Sequence, residues 1–202
     1  WFDRHEPSDM EIPITSLDTG ADSFEHLRRF RQIHPREQRD WVSPCGSGSN
    51  ALVQEAIAAT YGMVEMIDDA VGRILDHLDR TDQRANTIVV FTSDHGDMMG
   101  DHGLMLKGVM HYRGTLHVPM VISIPGQNPN RTAALASSID LGPTLMDICG
   151  IQEYDGIQGV SLSSLIQDPA ASVRESVLIE DDIAPVVASL TPIPAKTRTV
   201  IT

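Results

Sequence analysis

The sequence predicts an α/β domain built on a mainly parallel sheet with helices on both faces. Three observations predict it. Apolar residues recur at three- and four-residue steps from Ala56 to Leu78, the stripe of an amphipathic helix. The runs 87–93 and 118–124 are short, continuous and apolar, as strands buried on both faces are. A further helical stretch reads over 140–148, so helices and strands alternate, the order that generates a parallel sheet covered on both sides.

Each element has its own signals. Residues 1–50 scatter Pro, Gly, Ser and charge, with a short helix expected around 24–32 and a turn-rich stretch over 43–50; they read as an irregular, loop-rich segment. Residues 51–175 read as the α/β core. Its first helix carries Ala56, Thr60, Met63, Ile67, Val71, Ile74 and Leu78 on one stripe, which predicts core packing. Asp68 and Asp69 are adjacent there and point about 100° apart, so they make no metal pair. The strand over 118–124 is closed by Pro125-Gly126. For the helix over 140–148, Asp140 suits the N-cap, Pro143 the first turn and Gly150 the C-terminal cap. A third strand is expected over 176–180, and the β-branched run at 196–202 reads as another, so that 176–202 begins a C-terminal strand region.

Composition narrows the function. The chain has 202 residues, enough for one sizeable core. A net charge of -13 argues against nucleic acid as a partner, because phosphate binding needs a basic face. No apolar run is long enough for a membrane span. Cys45 and Cys149 allow one disulfide and establish no framework. Both termini read as cut, so an internal piece of a longer protein is expected, with apolar surface exposed where the rest would pack. Compartment and oligomeric state are left open.

The chemistry concentrates after the first apolar run. In open α/β sheets ligands bind beyond the carboxyl ends of strands, and Asp94 and His95 stand at that point, with Gly96 permitting a sharp turn. A carboxylate next to an imidazole is a credible ligand pair for a divalent cation. Asp97, Asp101, His102, Lys107 and His111 follow in one loop bracketed by five glycines. A connection that long between core strands is uncommon unless it has a role. Lys107 comes thirteen residues after Asp94, so a folded-back loop could aim its ammonium at an anion held on the metal.

Four ordered motifs then carry a resemblance. The segment from Ser93 to Leu104, followed by Lys107-Gly108 and by His117-Val118-Pro119-Met120-Val121-Ile122, resembles the metal motif in the C-terminal half of sulfatases of the alkaline-phosphatase superfamily. Residues 61–75 resemble the helix before that motif, residues 139–148 the helix after it, and Gly159-Val160-Ser161-Leu162 a short element beyond. The resemblance implies the alkaline-phosphatase/sulfatase fold, truncated at both ends. It implies that Asp94 and His95 are ligands of one divalent metal, calcium in most members, with manganese or magnesium as alternatives. Many members have Asn in place of His95. Lys107 matches the lysine that contacts the transferred sulfuryl group, and Asp101 and His102 are expected to hold the loop.

The departures are informative. Sulfatases use a formylglycine made from Cys or Ser in a Cys/Ser-x-Pro/Ala-x-Arg motif, and neither Cys45 nor Cys149 stands in one. The N-terminal aspartates of the metal site are missing as well, so the nucleophile is expected in a part of the protein before Trp1, and this chain alone is expected to be inactive. The resemblance implies hydrolysis of a small-molecule or glycan sulfate ester by the longer protein. The alternatives are a phosphonate or phosphate ester hydrolase of the same superfamily and a non-catalytic relative.

Overall fold

The computed structural model describes residues 1–14, 49–107, 110–182 and 196–202. The helix expected around 24–32, Cys45 and Gly108 lie outside the described residues. The chain divides into two compact units: Trp1–Gly126 with Asp182–Ala195, and Gln127–Asp181 with Lys196–Thr202.

The first unit is organised by a long helix, α1 (Asn50–Arg80). The Ser49 hydroxyl accepts the Leu52 N–H and satisfies one of the unpaired donors of the first turn. At the other end Gln83 N–H bonds to the Leu78 carbonyl and Asp82 N–H to that of Asp79, with Asp82 left-handed at φ 54°. That is the Schellman closure, and a short polar side chain is among the few that tolerate its left-handed position. Residues 1–13 run antiparallel along α1: Phe2 lies against Gly62, Gln54 donates to the Met10 carbonyl at 3.0 Å, and Pro13 approaches Gly100. Val53, Ile57 and Met105 form a buried cluster, with Met10, Ile12, Ala56 and Met99 packed against it.

The stripe expected to be core is not the buried face of α1: Val53, Ile57, Ala58 and Gly62 are buried and lie off it, and of the stripe Ala56 packs against the cluster while Val71 and Leu78 are half-buried. Met63, Ile67 and Ile74 are exposed. The physical reason is reach: Met10, Ile12, Met99 and Met105 all pack around Val53 and Ile57, in the first two turns.

Strands β1 (Val89–Thr92) and β2 (Met120–Ser123) pair antiparallel, with Val89 opposite Ser123 and Thr92 opposite Met120. The two apolar runs are therefore strands, but this pair is not parallel as the pattern predicted. A parallel neighbour needs a crossover of a dozen or more residues laid over the sheet. Among the described residues the connection from 93 to 119 carries a 3-10 turn (Asp101–Gly103) and the one-turn helix α2 (Arg113–Leu116), and spends the rest of its length on a folded loop at the strand ends.

In the second unit α3 (Leu141–Ile148) is followed by α4 (Ser163–Gln167), and β3 (Val177–Asp182) lies in one sheet with β4 (Lys196–Ile201). Gly150, left-handed at φ 65°, closes α3 as expected, with Ile151 N–H bonded to Met146 at 2.8 Å. Asp140 does something other than cap α3. Its carboxylate is fully buried and accepts from Ser137 N–H at 2.7 Å, Val160 N–H at 2.9 Å and the Arg174 guanidinium. Burial of a charge is tolerable when hydrogen bonds and an opposite charge replace water in this way. Thr144 continues the clamp, donating to the Asp140 carbonyl and accepting Leu162 N–H. Asp140 and Thr144 thus fasten the segment 159–162 to the start of α3. The Cys149 thiol is free and exposed.

Candidate functional site

The site is assembled where β1 runs out. Ser93, Asp94, His95 and Gly96 form a tight turn in which the Ser93 hydroxyl donates to the His95 carbonyl at 2.7 Å. His95 N–H donates to Oδ1 of Asp94 at 2.9 Å. That bond, helped by the charge of Lys107, holds the Asp94 carboxyl below the usual aspartate range despite the opposing effect of desolvation. Gly96 is required by contact: a Cβ there would run into the Gly114 carbonyl oxygen, and the Gly96 N–H donates to Thr115 at 2.8 Å. The turn is therefore seated directly on α2.

The loop from Asp97 to Lys107 folds back on itself. Met98 N–H bonds to the Leu106 carbonyl at 3.0 Å and Gly100 N–H to Leu104 at 2.8 Å. Apolar anchors fix it to the core, with Met98, Leu104, Met105 and Met110 all buried. Gly100 packs where a Cβ would lie 2.8 Å from the Val53 side chain, so the loop closes against α1 only with glycine there. His102 stacks on Tyr112 with ring centroids 3.8 Å apart.

This folding stores strain. Met99, His102 and Leu106 are all left-handed, at φ 47°, 52° and 60°. Each costs on the order of 1 kcal/mol, and such residues cluster where surrounding structure fixes a functional geometry. The sequence reading named Asp101 and His102 as loop-holding residues but did not single out Tyr112, Thr115 or the strained Met99 and Leu106. Only the neighbouring Gly100 and Gly103 hinted at the reversals.

The result of the fold-back is that Asp94, His95 and Lys107 come together. His95 Nδ1 lies 2.9 Å from the Gly96 carbonyl, which can only accept, so Nδ1 carries the proton. Nε2 is left with its lone pair, 3.4 Å from Oδ2 of Asp94 and 2.7 Å from the Lys107 ammonium. A carboxylate oxygen and an imidazole nitrogen thus converge, a donor set that fits a divalent cation. The set has two members: among the described residues no group of three or more His, Cys, Asp or Glu is placed to hold a metal.

Comparison with solved structures gives the class of fold. The chain superposes on the phosphonate monoester hydrolase of Silicibacter pomeroyi with a TM-score of 0.74 at 24% identity, covering 96% of this chain and 41% of that one. It also matches a protein solved in complex with its substrate D-glucosamine-2-N,6-O-disulfate, with a TM-score of 0.63 at 26% identity over 67% of this chain and 28% of that chain. The fold is that of the alkaline-phosphatase/sulfatase group. Sequence gives the family: residues 25–151 match the sulfatase family, and the chain belongs to it. A curated relative, an arylsulfatase of Clostridium perfringens, is 36% identical over 182 residues, which is 87% of this chain. The chain spans 35% of that relative's length.

Proposed function

We propose that this chain supplies part of the active site of a sulfuric ester hydrolase, acting on a small-molecule or glycan sulfate ester. The observation that carries this reading is the Lys107 ammonium 2.7 Å from His95 Nε2, beside Asp94, at the end of β1. Asp94 and His95 would hold part of a divalent-metal site. When bound, such a cation supplies Lewis-acid polarisation of the ester's oxygens. Asp94, kept ionised by the His95 N–H, offsets the charge of the cation. Lys107, on a loop anchored by Met105, presents a charged donor to the same oxygens as negative charge builds on them. The formylglycine nucleophile that the family resemblance implies is expected outside this chain. Family membership, the arylsulfatase relative and the structural likeness to a protein solved with a sulfated sugar support the sulfate reading.

The second reading is a phosphonate or phosphate ester hydrolase of the same superfamily. Its metal is open as well: calcium takes oxygen ligands, whereas His95 offers an imidazole nitrogen, a donor better suited to a transition metal. The test is the rate of the longer protein on matched aryl sulfate, phosphonate and phosphate esters, with each of Ca2+, Mn2+ and Mg2+. A sulfate rate below the phosphonate rate under every metal would replace the first reading by the second.

A further inference from the structure

We propose that Thr115 is a positioning residue of this site: it ties the turn that carries Asp94 and His95 to the loop that carries Lys107, and so sets the spacing between them. It acts on both arms through other residues. Toward the turn, the Thr115 carbonyl accepts Gly96 N–H at 2.8 Å, and the Gly96 carbonyl in turn accepts from His95 Nδ1 at 2.9 Å. Toward the loop, the Thr115 hydroxyl donates to the Met98 thioether sulfur at 3.0 Å. Met98 N–H then donates to the carbonyl of Leu106, the residue before Lys107, at 3.0 Å. The inference deepens the proposed function and rests on the role given there to Lys107.

The hydroxyl carries the argument. In a helix a threonine hydroxyl commonly bonds a carbonyl three or four residues back, whereas here it reaches across to the sulfur of another segment. Thr115 is 7% exposed and Met98 3%, so water has no room to take the place of either partner. A thioether is a weak acceptor, and the bond therefore adds little to stability. What it supplies is orientation, because methionine is unbranched with three rotatable bonds and is otherwise free to repack. The backbone it steadies is strained on both sides: Met99 follows Met98 and Leu106 precedes Lys107, and both are left-handed. Strained residues hold their conformation only while the surrounding structure fixes them. Releasing Met98 would let Lys107 drift from His95, and a misplacement of about 1 Å is enough to cost about 100-fold in rate. A weak bond can thus matter more to the reaction than to the fold.

The experiment compares Thr115→Val, which removes the hydroxyl, with Thr115→Ser, which keeps it, and with Met98→Leu, which removes the acceptor at similar volume. In the longer protein Thr115→Val should lower kcat for an aryl sulfate about tenfold, with KM within about twofold and bound metal unchanged, the pattern of an interaction needed in the transition state. Thr115→Ser should restore most of that rate. Met98→Leu should reproduce the loss, and decides the matter should Thr115→Val fold poorly. The double variant should be no slower than either single one, because the same bond is lost in each. In the 202-residue chain Thr115→Val and Met98→Leu should shift the His95 ring resonances while the urea midpoint stays close to wild type, and Thr115→Ser should leave both in place. A wild-type rate in Thr115→Val, single losses that multiply in the double variant, or unshifted His95 resonances would each overturn the proposal. A longer protein that hydrolyses no sulfate ester would sink the functional reading alone, since the His95 resonances report the spacing without turnover.

Discussion

The Nζ of Lys107 lies 2.7 Å from Nε2 of His95, whose other nitrogen is 2.9 Å from the Gly96 carbonyl. One lone pair therefore serves two claimants. An ammonium donating to it and a cation ligated by it cannot be present together.

Lys107→Ala should for that reason tighten divalent-cation binding at Asp94 and His95. Removing a competing donor and a like charge should improve Mn2+ affinity about tenfold, which is about 1.4 kcal/mol. Titration of the 202-residue chain by calorimetry, wild type beside variant, reads this directly. In the longer protein the same substitution should lower kcat/KM for a sulfate ester by about 2 to 4 kcal/mol while bound metal remains stoichiometric. Weaker metal binding in the variant would make Lys107 a support of the ligands and not their competitor.

Asp94→Ala should lose metal and rate together, since it removes the carboxylate proposed to face the cation. Asp94→Asn should keep the turn, because an amide oxygen can still accept the His95 N–H, yet still lose most of the metal. Metal analysis of the purified variants separates the two effects. Retention of full metal content by Asp94→Ala would remove Asp94 from the ligand set.

Gly96→Ala should disturb the site by sterics alone. The added Cβ meets the Gly114 carbonyl oxygen, so the turn or α2 has to move. Overpacking of this kind costs about 1 to 3 kcal/mol, which urea unfolding would register. The 2.7 Å contact between Lys107 and His95 should loosen as well, visible as a change in the His95 ring resonances.

Arg174→Ala should be among the most destabilising single changes in the second unit. It leaves the buried Asp140 carboxylate with two backbone N–H partners and no cation. Breaking a buried pair by removing one partner costs about 3 to 5 kcal/mol. Replacing both partners, Asp140→Asn with Arg174→Met, should recover much of that loss in the same urea measurement.

Asp147 gives the second unit an acid-sensitive contact. The Ser161 and Ser163 hydroxyls both donate to its carboxylate and lower its pKa below the ordinary 3.8. A folded pKa below the unfolded one stabilises the fold above the ordinary value, and the benefit disappears as pH falls through the folded pKa. The double change Ser161→Ala, Ser163→Ala should therefore flatten the decline in stability below about pH 4, the ordinary carboxylate range. Denaturation midpoints between neutral pH and acid would show it, and unchanged slopes would dismiss the contact.

Much of this molecule was legible because its signals are local. The spacing of Ala56, Met63 and Ile67 made α1, Gly150 closed α3, and the apolar runs made β1 and β2, each through interactions within a few residues. Asp94 and His95 were readable as candidates for the same reason: a polar pair directly after an apolar strand has one place to be, at the strand's end.

Tertiary structure alone settled what depends on residues far apart in sequence. The antiparallel pairing of β1 with β2 followed from how residues 93–119 fold, which no apolar run encodes. Asp140 looked like a cap and became a buried anchor, because Arg174 and Val160 arrive from elsewhere in the chain. Lys107 was a lysine at a suggestive spacing until the left-handed turns at Met99, His102 and Leu106, and the seating of Met105 on Val53 and Ile57, brought it to His95. Sequence determined which backbone each segment prefers, since propensity and capping act over a turn or a strand. Which side chains meet depended on closing long loops, whose entropy is offset only by contacts that exist once the chain has folded.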